Sequence, residues 1–117
     1  MIMRLEKAGT DARGWSAGPW NTNMAIAVGY ANEGIDEPHL HREITEIYLV
    51  ARGEAEIRVE KDSFALEAGD VLVIEPGEAH TFLASTPDYF HFVVHSPCLA
   101  QSDKAQTSRA RLGLAAD

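Results

Sequence analysis

Short runs rich in Val, Ile, Tyr and Phe recur between turn signals at intervals of about ten residues along most of this chain. Runs this short cannot each bury a helical face, and no sustained 3.6-residue periodicity interrupts them, so the rhythm predicts an all-β sandwich or barrel. The segment EAEIRVE shows the pattern most clearly. Ala55, Ile57 and Val59 alternate with Glu54, Glu56 and Arg58, as a half-buried strand requires. Strands are predicted over residues 24–30, 39–41, 46–51, 54–60, 63–66, 71–74, 80–84 and 89–95. The unbroken apolarity of VLVI, residues 71–74, predicts burial on both faces of that strand. Closing such strands into an antiparallel jelly-roll β-barrel of two facing sheets buries both VLVI and the earlier IYLV. The first 20 or so residues and the stretch after Pro97 are less patterned, and QSDKAQTSRAR is polar enough for a frayed end or a short surface helix. There is no internal repeat.

Composition narrows the partners. With 117 residues the chain is read as one domain, with a core at about 24–95, an extension at 1–23 and a tail at 98–117. Eighteen acids against ten bases give a net charge of -8, and no cluster of Lys or Arg marks a phosphate-binding groove, so a small molecule is expected rather than nucleic acid. No apolar stretch approaches the roughly 20 residues of a membrane span, and MIMRLEKAG lacks the apolar region of a signal peptide. A cytoplasmic location is the resulting expectation. It suits the lone cysteine, Cys98, which has no internal disulfide partner and reads as structural.

Chemistry concentrates in EPHLHREITEIYLVARG, residues 37–53, where two of the five histidines stand two positions apart ahead of an apolar run. On a strand, His39 and His41 point to one face and Leu40 to the other. From Gly34 to Gly53 the chain reads as a glycine, His-x-His, a glutamate and a closing glycine, met by His39, His41, Glu46 and Gly53. From Gly69 to Ala84, GDVLVIEPGEAHTFLA reads as a glycine, a strand, a proline-glycine turn and a histidine, met by Gly69, Gly77 and His80. These two motifs, fifteen residues apart, resemble those of the cupin superfamily, and the short linker resembles that of its small single-domain (type 2) members. The departures are local: four residues separate Gly34 from His39, Glu75 stands at the usual proline position, and Ala84 replaces a frequent asparagine. The resemblance covers about residues 24–95 and implies a double-stranded jelly-roll barrel, a divalent metal held by His39, His41, Glu46 and His80, and a homodimer.

The residues support the same ligand set on chemical grounds. Three imidazole nitrogens and one carboxylate oxygen suit a divalent transition metal such as iron, manganese, nickel or zinc. Two histidines on one strand face cannot close a coordination sphere, so His80 must arrive from a separate strand. The five-residue step from His41 to Glu46 is odd, so REIT must contain a turn or bulge if both are to face inward. Glu43 is the competing carboxylate, ranked below Glu46 because it follows His41 too closely to match the cupin-like motif. Tyr48 shares parity with Glu46, Phe82 shares parity with His80, and His91 and His95 share parity with Val93. Tyr48, Phe82 and His91 are therefore candidate pocket residues, with Tyr48 and His91 as candidate acid–base groups and His95 able to project into the cavity beside His91 in the same role, against the plainer reading of all of them as packing or surface residues. His95 is left outside the ligand set. Trp15 and Trp20 could cover the barrel mouth or a subunit contact. Open metal positions point to a metal-dependent enzyme, and the cupin resemblance implies one acting on a small oxygenated metabolite, of dioxygenase, isomerase, decarboxylase or lyase type. The other reading is a sugar-binding or acid-binding sensor without turnover.

Overall fold

In a computed structural model that describes residues 2, 13–33 and 37–115, the alternating runs form ten strands and one 3-10 turn. One sheet runs, in spatial order, β1 (Arg13–Ala17), β2 (Ala27–Ala31), β9 (Phe90–Ser96), β4 (Thr45–Arg52) and β7 (Val71–Ile74). The other runs β10 (Lys104–Gln106), β3 (His39–His41), β8 (His80–Ser85), β5 (Glu54–Val59) and β6 (Asp62–Glu67). Every pairing is antiparallel. From β2 to β10 the chain changes sheet at each step, except at the β5–β6 hairpin. That is the double-stranded jelly roll expected from the strand rhythm. No described helix is long and apolar enough to cross a membrane.

The core lies between the sheets, and period-2 patterning puts it there. Ala55, Ile57 and Val59 of β5 are buried while Glu54 and Glu56 are exposed. Opposite them, Tyr48 and Val50 of β4, Ile74 of β7 and Val93 of β9 join Leu66 and Phe82 in one apolar cluster. Complete burial of Ile57 contributes roughly 1.5–3 kcal/mol by removal of its apolar surface from water.

Three expectations are corrected. VLVI is not buried on both faces: Ile74 is 2% exposed, but Val71 and Val73 are 60% and 46% exposed. As an edge strand, β7 pairs only with β4, and its second side chain row lies on the outer surface of the sheet. The less patterned ends also contribute strands. Residues 13–17 form β1 on β2, although the composition there is dominated by small residues. QSDKAQTSRAR is neither frayed nor α-helical. Its Lys104–Gln106 pairs with β3, and a 3-10 turn at Ala110–Leu112 buries Leu112 completely. Arg111 anchors that turn, with Nε and Nη2 donating to the two carboxylate oxygens of Glu60 at 2.8 and 2.9 Å and Nη2 also donating to the Gly77 carbonyl. The motif glycine Gly34 lies outside the described residues, as do residues 1 and 3–12 of the extension.

Two other motif glycines have different physical reasons. Both take positive φ, +74° at Gly53 and +95° at Gly69. A Cβ on Gly53 would stand 2.6 Å from the Cα of Tyr89 and 2.7 Å from its nitrogen, whereas one on Gly69 meets nothing within 4 Å. Gly69→Ala is expected to cost about 1–2 kcal/mol, from left-handed backbone strain alone. Gly53→Ala adds a backbone clash and is expected to cost about 2–5 kcal/mol. Urea unfolding of both variants checks this, and equal costs would remove the close approach of Tyr89 as the reason for Gly53.

Candidate metal centre

Register brings the site together. In the pairing of β3 with β8, His39 lies directly opposite His80, and in the pairing of β4 with β9, Glu46 lies directly opposite His95. One pair projects inward from each sheet, so the four side chains meet in the gap between them. His41, two residues along β3 from His39, points to the same face.

The odd step between His41 and Glu46 is resolved by the change of sheet. Arg42, Glu43 and Ile44 form a bend that carries the chain from β3 to β4. Asp103, just before β10, holds this bend: its Oδ2 accepts from the backbone N–H groups of Glu43 at 2.8 Å and Ile44 at 3.0 Å. Glu43 itself is exposed and Glu46 is 3% exposed, so the inward carboxylate is that of Glu46.

The outer ring nitrogens determine what the inner ones present. His39 Nδ1 donates to the Glu37 carbonyl at 2.9 Å and His80 Nδ1 to the Glu78 carbonyl at 3.0 Å. A carbonyl only accepts, so both rings carry their proton on Nδ1 and, when uncharged, turn a lone pair on Nε2 inward. His41 Nδ1 bonds Asp103 Oδ1 at 2.7 Å. The three Nε2 atoms gather on a single oxygen, Glu46 Oε1, at 3.9 Å for His39, 2.7 Å for His41 and 3.3 Å for His80. His95 Nε2 approaches the other oxygen, Oε2, at 3.4 Å.

Acceptor lone pairs facing a carboxylate oxygen repel, and among the described residues Glu46 Oε1 and His80 Nε2 are both buried without a hydrogen-bond partner. A buried polar atom without a partner costs about 1–3 kcal/mol. A cation between the nitrogens and the carboxylate removes that cost for the whole set, so the residues present fit a metal. Among the described residues, two triads have donor atoms close enough together to hold an ion, His39–Glu46–His80 and His41–Glu46–His95, and they share the carboxylate.

The charges are ordered accordingly. Burial alone raises the pKa of Glu46, but the surrounding imidazoles outweigh it and hold the carboxyl ionised, far below the usual range. Burial lowers His41, and the nearby carboxylates of Glu46 and Asp103 reverse this and leave it raised. Burial raises Asp103, while the Glu43 N–H, His41 and the Ile44 N–H bring it below its ordinary value. Burial, followed by the negative charge of Glu46, pushes the Tyr48 phenol well above its ordinary value and keeps it protonated.

A cavity of about 490 Å³ adjoins the centre, with His41, Glu46, Tyr48, Phe82, His91 and Val93 in its wall. Tyr48, Phe82 and His91 thus line the space beside the histidine cluster. Phe82 and Tyr48 meet edge to face at 5.4 Å, and both also pack on His91. Trp15 packs edge-on against His95 at 4.6 Å and lines this cavity as well as a second one of about 550 Å³, which Trp20 and Cys98 border.

Sequence reasoning missed Asp103, the position of His95 beside Glu46, and Tyr89, whose hydroxyl bonds His91. Asp103 has no local signal, since it sits in a polar stretch 62 residues from its partner His41. For His95 a signal existed in its parity with His91 and Val93.

Solved structures with the same fold include an uncharacterized conserved protein with a double-stranded beta-helix domain from Klebsiella pneumoniae, 25% identical, with a TM-score of 0.62 over 82% of this chain and 83% of that one. KdgF from Halomonas is 24% identical, with a TM-score of 0.64 over 75% of this chain and 79% of its own. A Streptomyces Pac13 variant with uridine is 13% identical, with a TM-score of 0.62 over 74% and 72% of the two chains. No curated protein matches the chain. The Cupin domain family matches residues 27–96, the span that carries every strand from β2 to β9 and all of the converging histidines, and the chain therefore belongs to the cupin family.

Proposed function

We propose that this cupin is a metal-dependent enzyme acting on a small oxygenated metabolite, of oxygenase, isomerase or decarboxylase type, with one divalent transition metal held by His39, His41, His80 and Glu46. The observation that carries the reading is the partition of contacts around Glu46: three histidine Nε2 atoms on Oε1 and His95 on Oε2. Oε1 would be the carboxylate oxygen that holds the ion, and His95 would steady the other end of the carboxylate from 3.4 Å. Iron, manganese, nickel and zinc all suit three imidazoles and a carboxylate. Such an ion supplies Lewis-acid polarisation of a substrate carbonyl or carboxylate oxygen.

The chain's own groups favour turnover over simple binding. Tyr48 keeps its proton and so offers a hydroxyl donor at the cavity wall, beside the apolar side chains of Phe82 and Val93. Asp103 holds His41 through Nδ1, an arrangement that fixes ring orientation and strengthens the ligand. A small-molecule ligand is supported by the cavity and by the uridine bound to the Pac13 variant of the same fold. The net charge of -8 speaks against nucleic acid or an anionic membrane surface as partner. Cys98 is free, which suits a cytoplasmic setting.

The homodimer belongs to the same reading, and the outer face of the first sheet supports it. Two apolar rows cross that face in register. Phe92, Leu49 and Val71 form one, and Val94, Ile47 and Val73 form the other. Of these, Phe92, Leu49, Val71 and Val73 are exposed, and large exposed apolar side chains clustered on one sheet face mark an interaction surface. A second copy supplies an equally apolar face, which also accounts for the apolarity of VLVI on its outward side.

Metal analysis of protein purified without chelator is the direct test, with about one equivalent of transition metal per chain expected. Anaerobic iron loading followed by a dioxygen-consumption screen then examines the oxygenase branch. A protein that takes up no divalent metal overturns the reading.

Metal removal is expected to lower the melting temperature by on the order of 10 °C, since ligand at 100 times its Kd stabilises by about 2.7 kcal/mol. His41→Ala is expected to abolish most of this metal response. His95→Ala should retain it, and Asp103→Asn should weaken metal affinity by about 10–100-fold. Thermal unfolding with and without added metal reads all three. An undiminished response in His41→Ala removes His41 from the site.

For the assembly, Leu49→Glu places a charge in the middle of the apolar face and is expected to convert a dimer to a monomer without loss of the fold. Light scattering with circular dichroism checks this, and a wild-type mass of one chain at every concentration counts against the dimer.

A further inference from the structure

The metal reading leaves one buried polar pair unused. Tyr89, immediately before β9, and His91 within it are 1% and 3% exposed, and the Tyr89 hydroxyl lies 2.6 Å from His91 Nδ1. Among the described residues this is the one hydrogen bond of either side chain. A buried phenol needs an acceptor for its proton, and Nδ1 is the acceptor on offer. The hydroxyl therefore donates, and an uncharged His91 must carry its own proton on Nε2.

Surroundings reinforce both halves of that assignment. Burial pushes His91 down to about 4, with the Glu46 charge only partly opposing it, so near neutrality the ring holds one proton. Burial pushes the Tyr89 phenol up, so it keeps the proton it donates. The ring itself cannot swing. Phe82 stacks on it at 5.5 Å and 26°, Tyr48 meets it at 4.8 Å, and Tyr89 at 5.3 Å. With Nδ1 committed to Tyr89, Nε2 is the nitrogen left for the cavity that His91 lines together with His41, Glu46 and Tyr48.

We propose that His91 is a specificity-determining residue, presenting a fixed Nε2–H donor to an oxygen acceptor at the end of the ligand remote from the metal. The favoured ligand class is then a small molecule with two oxygen functions, one for the metal and one, a carbonyl or carboxylate, for His91. Tyr89 is the positioning residue that holds the tautomer. The ligand's placement rests on the metal reading above, whereas the tautomer does not.

The test uses full-length protein loaded with zinc as a diamagnetic probe, and its metal-free form. Histidine nitrogens are read by two-dimensional 15N NMR at pH 7, and zinc uptake is measured by calorimetry on the same samples. His91 is expected to show a protonated Nε2 and an unprotonated Nδ1 in both forms, and Tyr89→Phe is expected to lose that bias. The binding probes are malonate, succinate and glutarate against acetate, propionate and butyrate. At least one diacid should bind the zinc form about tenfold or more tightly than its monoacid counterpart, a margin expected to vanish in His91→Phe. Should that variant not fold, Tyr89→Phe is expected to reduce the same margin. A protonated Nδ1 or a doubly protonated ring on His91 overturns the proposal. So does an unchanged margin in the variants, or no diacid preference in zinc-loaded wild type. Failure of wild type to take up zinc overturns the metal reading instead, and the tautomer in the metal-free form still decides His91.

Discussion

A single buried carboxylate organises this protein's interior. Glu46 sits between the two sheets with histidines of β3, β8 and β9 turned toward it, and burial alone favours its protonated form. What keeps it charged is the number of imidazoles, and what keeps the imidazoles in place is the pairing register of both sheets. A one-residue slip of β4 against β9 turns Glu46 to the outer surface and Ile47 inward. Register, core and site are therefore specified together, because Tyr48 and Val50 bury on the same side of β4 as Glu46.

Around the centre, a second set of contacts settles direction rather than position. The carbonyls of Glu37 and Glu78 each lie two residues before the histidine they orient, so local backbone geometry aims His39 and His80. His41 is different, since its partner Asp103 comes from the far end of the sequence and also holds the bend at Glu43 and Ile44. One side chain thereby fixes a ring orientation and the change of sheet that brings Glu46 inward. His91 repeats the principle without a charge, its tautomer held by Tyr89 two residues away.

The inner and outer faces of the first sheet follow opposite rules. Inward, β4 and β9 alternate apolar core residues with the polar groups of the site. Outward, the rows through Leu49 and Ile47 carry no charge, while the outward residues Glu54 and Glu56 of β5 in the other sheet are acidic.

Strand positions from β2 to β9 were legible in the sequence because burial on one face imposes a period of 2, and EAEIRVE shows how little context that reading needs. The inward set His39, His41, Glu46 and His80 was legible too, from two short motifs whose spacing reflects strand and turn lengths. The parity of Tyr48, Phe82 and His91 with inward residues was equally available. Other features depended on contacts that no local pattern encodes. β10 pairs with β3 across 62 positions of sequence between Asp103 and His41, so a polar stretch without alternation reads as a loose end until its partner is known. VLVI reads as buried on both faces because apolarity alone does not reveal which strand lies at a sheet edge. Sequence periodicity determines which way a side chain points relative to its neighbours. Only the tertiary structure decides what stands opposite it, because a hydrogen-bond partner or an uncovered face depends on which distant strands are adjacent.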